Sequence, residues 1–94
     1  MKAELVLRIR KDFDDGSILE MVIWRLSMPV EGSKHSYKYR LFYGLAGKRI
    51  VGYDNERGKG DHRHLEGRET PYRFTTVEAL VAEFLREVTR RRAQ

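Results

Sequence analysis

Ninety-four residues with no cysteine, 35% charged side chains and a net charge of +5 suit one domain, residues 1–94, with a single modest core, and leave neither a disulfide framework nor thiolate chemistry. The charged fraction exceeds the roughly 25% usual in globular domains, yet a hydrophobic fraction of 40% is enough for a core and excludes a disordered chain. Between positions 25 and 49 the bases Arg25, Lys34, Lys38, Arg40, Lys48 and Arg49 meet only Glu31, a surplus suited to phosphate polymers, acidic proteins or anionic membrane, or simply to a solubilising face.

The first residues, "MKAELVLRIRKDF", have short apolar pieces broken by arginine, so they read neither as a signal peptide nor as a membrane span, and the expected location is the cytoplasm. Leu5, Leu7 and Ile9 alternate with Val6, Arg8 and Arg10 as in a half-buried strand. The turn chemistry of Asp14-Asp15-Gly16 then predicts a hairpin whose second strand, rich in β-branched and aromatic residues, runs to Leu26. After a loop marked by Pro29, Gly32 and Ser33, "YKYRLFYGL" sets Tyr37, Tyr39, Leu41 and Tyr43 against Lys38, Arg40 and Phe42, a third strand. Ala46-Gly47 closes a second hairpin, and "KRIVGY" is a fourth strand. Near the C-terminus Val77, Leu80, Val81, Phe84, Leu85 and Val88 follow helical spacing. Thr75 and Glu78 have capping-box spacing, so the helix is expected to begin near Thr76. Arg90, Arg91 and Arg92 oppose the negative pole of the helix dipole. The expected fold is α+β: an antiparallel sheet of about four strands with a C-terminal amphipathic helix on one face.

Between the fourth strand and the helix lie about twenty residues without a clear element, a long connection for a compact domain and therefore a candidate site. A short fifth strand around His62 to Leu65 is one way to use them. Within "YDNERGKGDHRH", residues 53–64, Gly58 and Gly60 bracket Lys59, so a phosphate could approach the backbone N–H groups while the ammonium neutralises it; a plain flexible loop has the same composition. His62 and His64 project to one side of an extended chain and Arg63 to the other. Two imidazoles can supply the base and the acid of metal-free RNA cleavage. The same spacing could hold zinc with Asp54 or Asp61, or the pair could be surface histidines without a task. Residue types alone do not choose among the three.

The Tyr53-Asp54-Asn55 run, Gly58-Lys59-Gly60, His62-Arg63-His64 and the tail from "PYRF", following the N-terminal strands in this order, resemble the TumE family of small bacterial and archaeal toxins from toxin–antitoxin operons. The resemblance implies a toxin neutralised by a cognate antitoxin, often a helix-turn-helix DNA-binding protein, and ribonuclease activity. It assigns no role to Glu56 or Asp61. Together the two lines lead to an expected metal-independent ribonuclease with no cofactor, in which His62 and His64 transfer protons. Lys59 and Arg63 would bind the scissile phosphate and Asp54 would orient a histidine or the loop. Tyr53 would stack on a base or else end its strand in the core, and Arg57, Lys38 and Arg40 would hold RNA. A non-catalytic nucleic-acid or partner-binding module using Lys38 and Arg40 is the alternative. A two-metal nuclease would need a denser carboxylate cluster. A sheet edge could also pair with a twin chain into a homo-oligomer.

Overall fold

The first four strands form where the spacing places them, although in the first of them Leu5 and Ile9, expected on a half-buried side with Leu7, are exposed because a bulge between Leu5 and Leu7 breaks the alternation and nothing covers the strand. The computed structural model describes residues 2–93. Strands β1 (Ala3–Asp12), β2 (Ile18–Leu26), β3 (Tyr37–Leu45), β4 (Lys48–Glu56), β5 (Gly60–Leu65) and β6 (Arg68–Pro71) precede helix α1 (Val77–Arg92). All six strands lie in one antiparallel sheet in chain order, β1-β2-β3-β4-β5-β6. The class is α+β as expected, but the sheet has six strands rather than about four. The two extra strands occupy the segment expected to be mostly loop. Their hairpin turns on Glu66 and Gly67, both at positive φ (50° and 85°), the two-residue geometry that also joins β3 to β4 through Ala46 and Gly47.

Leu19, Met21 and Ile23 of β2, Tyr39, Leu41 and Tyr43 of β3, and Val51 and Tyr53 of β4 share one face, and α1 seals it with Leu80, Phe84 and Val88. Phe84 has no exposed surface and meets Tyr53 edge-on at 6.0 Å. Leu85, expected on the apolar stripe, is exposed. The helix cap is Thr76, whose Oγ1 accepts from the Ala79 N–H at 3.0 Å; the cap therefore lies one residue beyond the Thr75 of the expected capping box. Arg91 pairs with Glu87 within the helix at 2.7 Å and reaches Glu66, between β5 and β6, at 3.7 Å. Arg92 lies over the Phe13 ring and donates to Ser17 and Tyr43. Two of the three terminal arginines thus fasten the helix end in place. No helix among the described residues is long and apolar enough to cross a membrane.

A second fastening closes the other end of the sheet. Asp61, on the helix side of β5, accepts from Ser33 Oγ at 2.7 Å and Tyr39 OH at 2.6 Å, and pairs with His35 Nε2 at 2.7 Å. The β2–β3 connection is thereby folded onto the β4–β5 turn. Gly32 and Gly60 touch backbone to backbone there: a Cβ on Gly32 would stand 2.9 Å from the Gly60 nitrogen. Buried Asn55 completes the fastening, accepting from the Tyr39 N–H at 3.0 Å and donating to the Tyr37 carbonyl at 2.7 Å. At the opposite margin β1 is exposed along nearly its whole length. A bulge between Leu5 and Leu7 and the charges of Arg8, Arg10 and Lys11 are features that discourage edge-to-edge pairing.

Candidate functional site

The helix covers one face of the sheet and leaves the other open. On β5 the period-2 alternation sends His62 and His64 to the open face and Arg63 to the helix face. Register then supplies the neighbours: His62 lies opposite Asp54 and His64 opposite Gly52 on β4, while His64 faces Glu69 on β6. A shallow cavity of about 170 Å³ is lined by Arg49, Asp54, Glu56, Lys59, His62, His64 and Glu69.

Gly52 makes this arrangement possible. With no side chain at 52, Arg49 lies across the strand; a Cβ there would come 2.6 Å from Arg49 Cδ. One guanidinium nitrogen reaches the His64 ring, 2.8 Å from Nδ1 and 3.0 Å from Nε2, and another lies 4.0 Å from Asp54. Arginine only donates and a neutral imidazole keeps a proton on one nitrogen, so whichever His64 nitrogen accepts from Arg49 is the one without it. His62 Nδ1 is 3.2 Å from the Gly60 carbonyl, which only accepts, so that nitrogen does carry one. Glu69 sits between the two rings, 3.9 Å from His62 Nε2 and 3.5 Å from His64 Nε2. Lys59 is exposed at the rim, 3.4 Å from Glu56.

Of the residues singled out in the sequence, His62, His64, Asp54 and Lys59 therefore come together. Arg63 does not. It lies on the covered face, 3.3 Å from Glu83 of the helix, where it supports the fold. Tyr53 has no exposed surface; its hydroxyl donates to Glu83 at 2.6 Å, and burial, aided by that carboxylate, pushes its ionisation up. It has no face to offer a base, and its core role is the one observed. The glycines around Lys59 do not form a phosphate cradle either: the Gly58 N–H donates to the Glu31 carbonyl at 2.7 Å and the Lys59 N–H to the Glu56 carbonyl at 3.0 Å. Arg57 stands at the hairpin tip, largely exposed and 3.2 Å from Glu31. Lys38 and Arg40 are on the open face, Lys38 donating to the Asn55 carbonyl.

Arg49 and Glu69 were not singled out in the sequence. Glu69 could have been found: reading Glu66-Gly67 as a two-residue turn places it directly opposite His64. Nothing local marks Arg49, whose reach depends on the register of β3, β4 and β5. The third histidine, His35, has both ring nitrogens engaged, Nε2 by Asp61 and Nδ1 by the Tyr37 N–H, and it stacks on Phe74 at 3.9 Å. Among the described residues no group of three or more His, Asp or Glu side chains is arranged to hold a metal ion.

A six-stranded antiparallel sheet sealed by one helix, with paired imidazoles among cations on the uncovered face, defines a small α+β protein that presents proton-transfer and anion-binding groups together. The sequence model of the family described as Toxin TumE matches residues 1–92, and the chain belongs to that family. It is accordingly a toxin of a toxin–antitoxin system, with a cognate antitoxin as its partner. No curated protein and no solved structure matches the chain.

Proposed function

We propose that the toxin acts in the cytoplasm as a metal-independent endoribonuclease, that its active site is the cavity around His62 and His64, and that a helix-turn-helix antitoxin neutralises it. The observation that carries this reading is the pair of imidazoles side by side on the open face with opposite hydrogen-bonding environments. His64 is placed to act as the base once the substrate phosphate draws Arg49 off its acceptor nitrogen. It takes the proton of a ribose 2′-hydroxyl, and the 2′-oxygen attacks the neighbouring phosphorus. The bond from phosphorus to the 5′-oxygen breaks as His62, entering the step with a proton on each ring nitrogen, delivers the one on Nε2 to the leaving oxygen. The products are a 2′,3′-cyclic phosphate and a 5′-hydroxyl end. Arg49 and Lys59 offset the charge that develops on the phosphoryl oxygens. Asp54 and Glu69 orient Arg49 and the two rings. Arg57, Lys38 and Arg40 hold flanking phosphates.

Removing a proton-transfer group costs about 10² to 10⁴ in rate. His62→Ala and His64→Ala should each show that loss on single-stranded RNA with the fold intact by circular dichroism. Cleavage should persist in strong chelator and follow a bell-shaped pH profile that loses one limb in each variant. Loss of activity in chelator with recovery on adding zinc or magnesium would sink the metal-free mechanism. Parental cleavage by both histidine variants would move the chemistry elsewhere. The position of Lys38 and Arg40 on the same open face favours one other reading, a non-catalytic binding module, in which RNA is bound but left intact and affinity follows Lys38 and Arg40 rather than the histidines.

A further inference from the structure

The solvated face of an antiparallel sheet is normally polar. Here it carries Trp24 on β2 and Phe42 on β3, both on the side opposite the helix and both half-buried. The Arg8 guanidinium lies 5.8 Å from the Trp24 ring and that of Arg40 lies 5.1 Å from the Phe42 ring. These two arginines rest on aromatic faces, whereas Arg10 on the same face is paired with Asp12 and Glu20.

Register arranges these side chains in rows that cross the strands. Arg8, Val22, Arg40, Asp54 and His62 are successive cross-strand partners from β1 to β5. In the next row Phe42 faces Gly52, which faces His64. In register only Gly52, over which the Arg49 side chain lies, separates the Phe42 position from one of the proposed catalytic imidazoles. Trp24 sits opposite Lys38 in the row on the other side, beside a depression of about 270 Å³ that Val22, Lys38 and Arg40 also line. Four strand spacings of roughly 4.8 Å give a path of about 19 Å from β1 to the histidines.

We infer that this face is a track for single-stranded RNA, on which Trp24 and Phe42, two cross-strand rows apart, each stack a base of the strand while Arg8 and Arg40 swing off the rings to meet phosphates and lead the strand into the cavity of His62 and His64. The inference rests on the ribonuclease reading and adds its substrate class. Aromatic rings on a sheet face and arginine planes stack unpaired bases without regard to sequence. A duplex hides the faces of its bases, so it has nothing to place on these rings.

Trp24 is the only tryptophan in the chain, and its emission reports on this face alone. The protein to titrate is the His62→Ala/His64→Ala double variant, with a short single-stranded oligoribonucleotide and with the same oligonucleotide annealed to its complement. The expected result is quenching by the single strand and none by the duplex. Trp24→Ala in the same background should bind the single strand about 5- to 150-fold more weakly, the usual cost of one stacked base, and Trp24→Phe should keep most of the affinity. Binding without a change in emission overturns the track, as does unchanged affinity in Trp24→Ala. Quenching by purified antitoxin but not by RNA overturns it as well, and assigns the face to that partner. Failure of the parental protein to cleave RNA would instead remove the ribonuclease reading, and cleavage by the double variant would move the chemistry away from His62 and His64, so these failures are distinguishable from failure of the track.

Discussion

Gly52→Ala isolates the contribution of Arg49. The added methyl would stand 2.6 Å from Arg49 Cδ, 3.3 Å from Nε and 3.5 Å from Cγ. Carbon atoms settle at about 3.5 to 4.0 Å, so Cδ has to retreat by roughly 1 Å. The guanidinium, further along the same side chain, follows. Its contacts with His64, 2.8 and 3.0 Å, then open beyond hydrogen-bond range. A misplacement of about 1 Å in a reacting assembly costs on the order of 10²-fold in rate, and loss of one charge-stabilising donor about 10²- to 10³-fold. Stability should hardly change, because Ala in a strand is favoured over Gly by roughly 0.5 to 1 kcal/mol and only a flexible side chain has to move. The assay is single-turnover RNA cleavage, with urea denaturation as the control. In an Arg49→Ala background, Gly52→Ala should have almost no further effect, since both changes remove the same contact. Parental cleavage by Gly52→Ala, or effects of the two substitutions that simply multiply, would refute the placement of Arg49 in the site.

Phe84→Ala should destabilise the fold by roughly 3 to 5 kcal/mol, because the ring is fully buried against Tyr53; an unchanged urea midpoint would contradict the packing. Tyr39 and Tyr53 both have ionisations raised by burial and then by Asp61 and Glu83 respectively. Their contribution is present while the unfolded phenols stay protonated. Above about pH 10 the unfolded chain releases protons that the folded chain keeps, and stability falls by up to about 1.4 kcal/mol per pH unit for each tyrosine. Urea midpoints measured from neutral into alkaline pH should show this fall, and Tyr53→Phe should lessen it; a flat profile would oppose the burial of these hydroxyls. If Lys38 and Arg40 each contact a phosphate, replacing both by alanine should reduce the salt slope of single-strand RNA affinity by about 1.4. An unchanged slope would return both residues to solvent.

Period-2 alternation in "YKYRLFYGL" was sufficient to assign both faces of β3, and the 3.6-residue spacing of Leu80, Phe84 and Val88 was sufficient to place α1. The same local rule put His62 and His64 on one side of the chain and Arg63 on the other, and that division holds. Residues 53–64 hid the rest because their buried side is polar. Asn55, Asp61 and Arg63 face inward, and each meets a partner distant in sequence: the Tyr39 backbone, Ser33 with His35, and Glu83. A polar side chain buried against such a partner has the same one-letter signature as a solvated one, so strands at this point read as loop. Tertiary structure alone decided that the Gly58 and Lys59 N–H groups bond to backbone carbonyls instead of a phosphate. It also decided that Arg49 crosses Gly52 to reach His64, and that the helix lands on the Arg63 side and leaves the histidines uncovered. These outcomes depend on register and on which sheet face the helix seals, properties of long-range pairing that no local pattern of residues encodes.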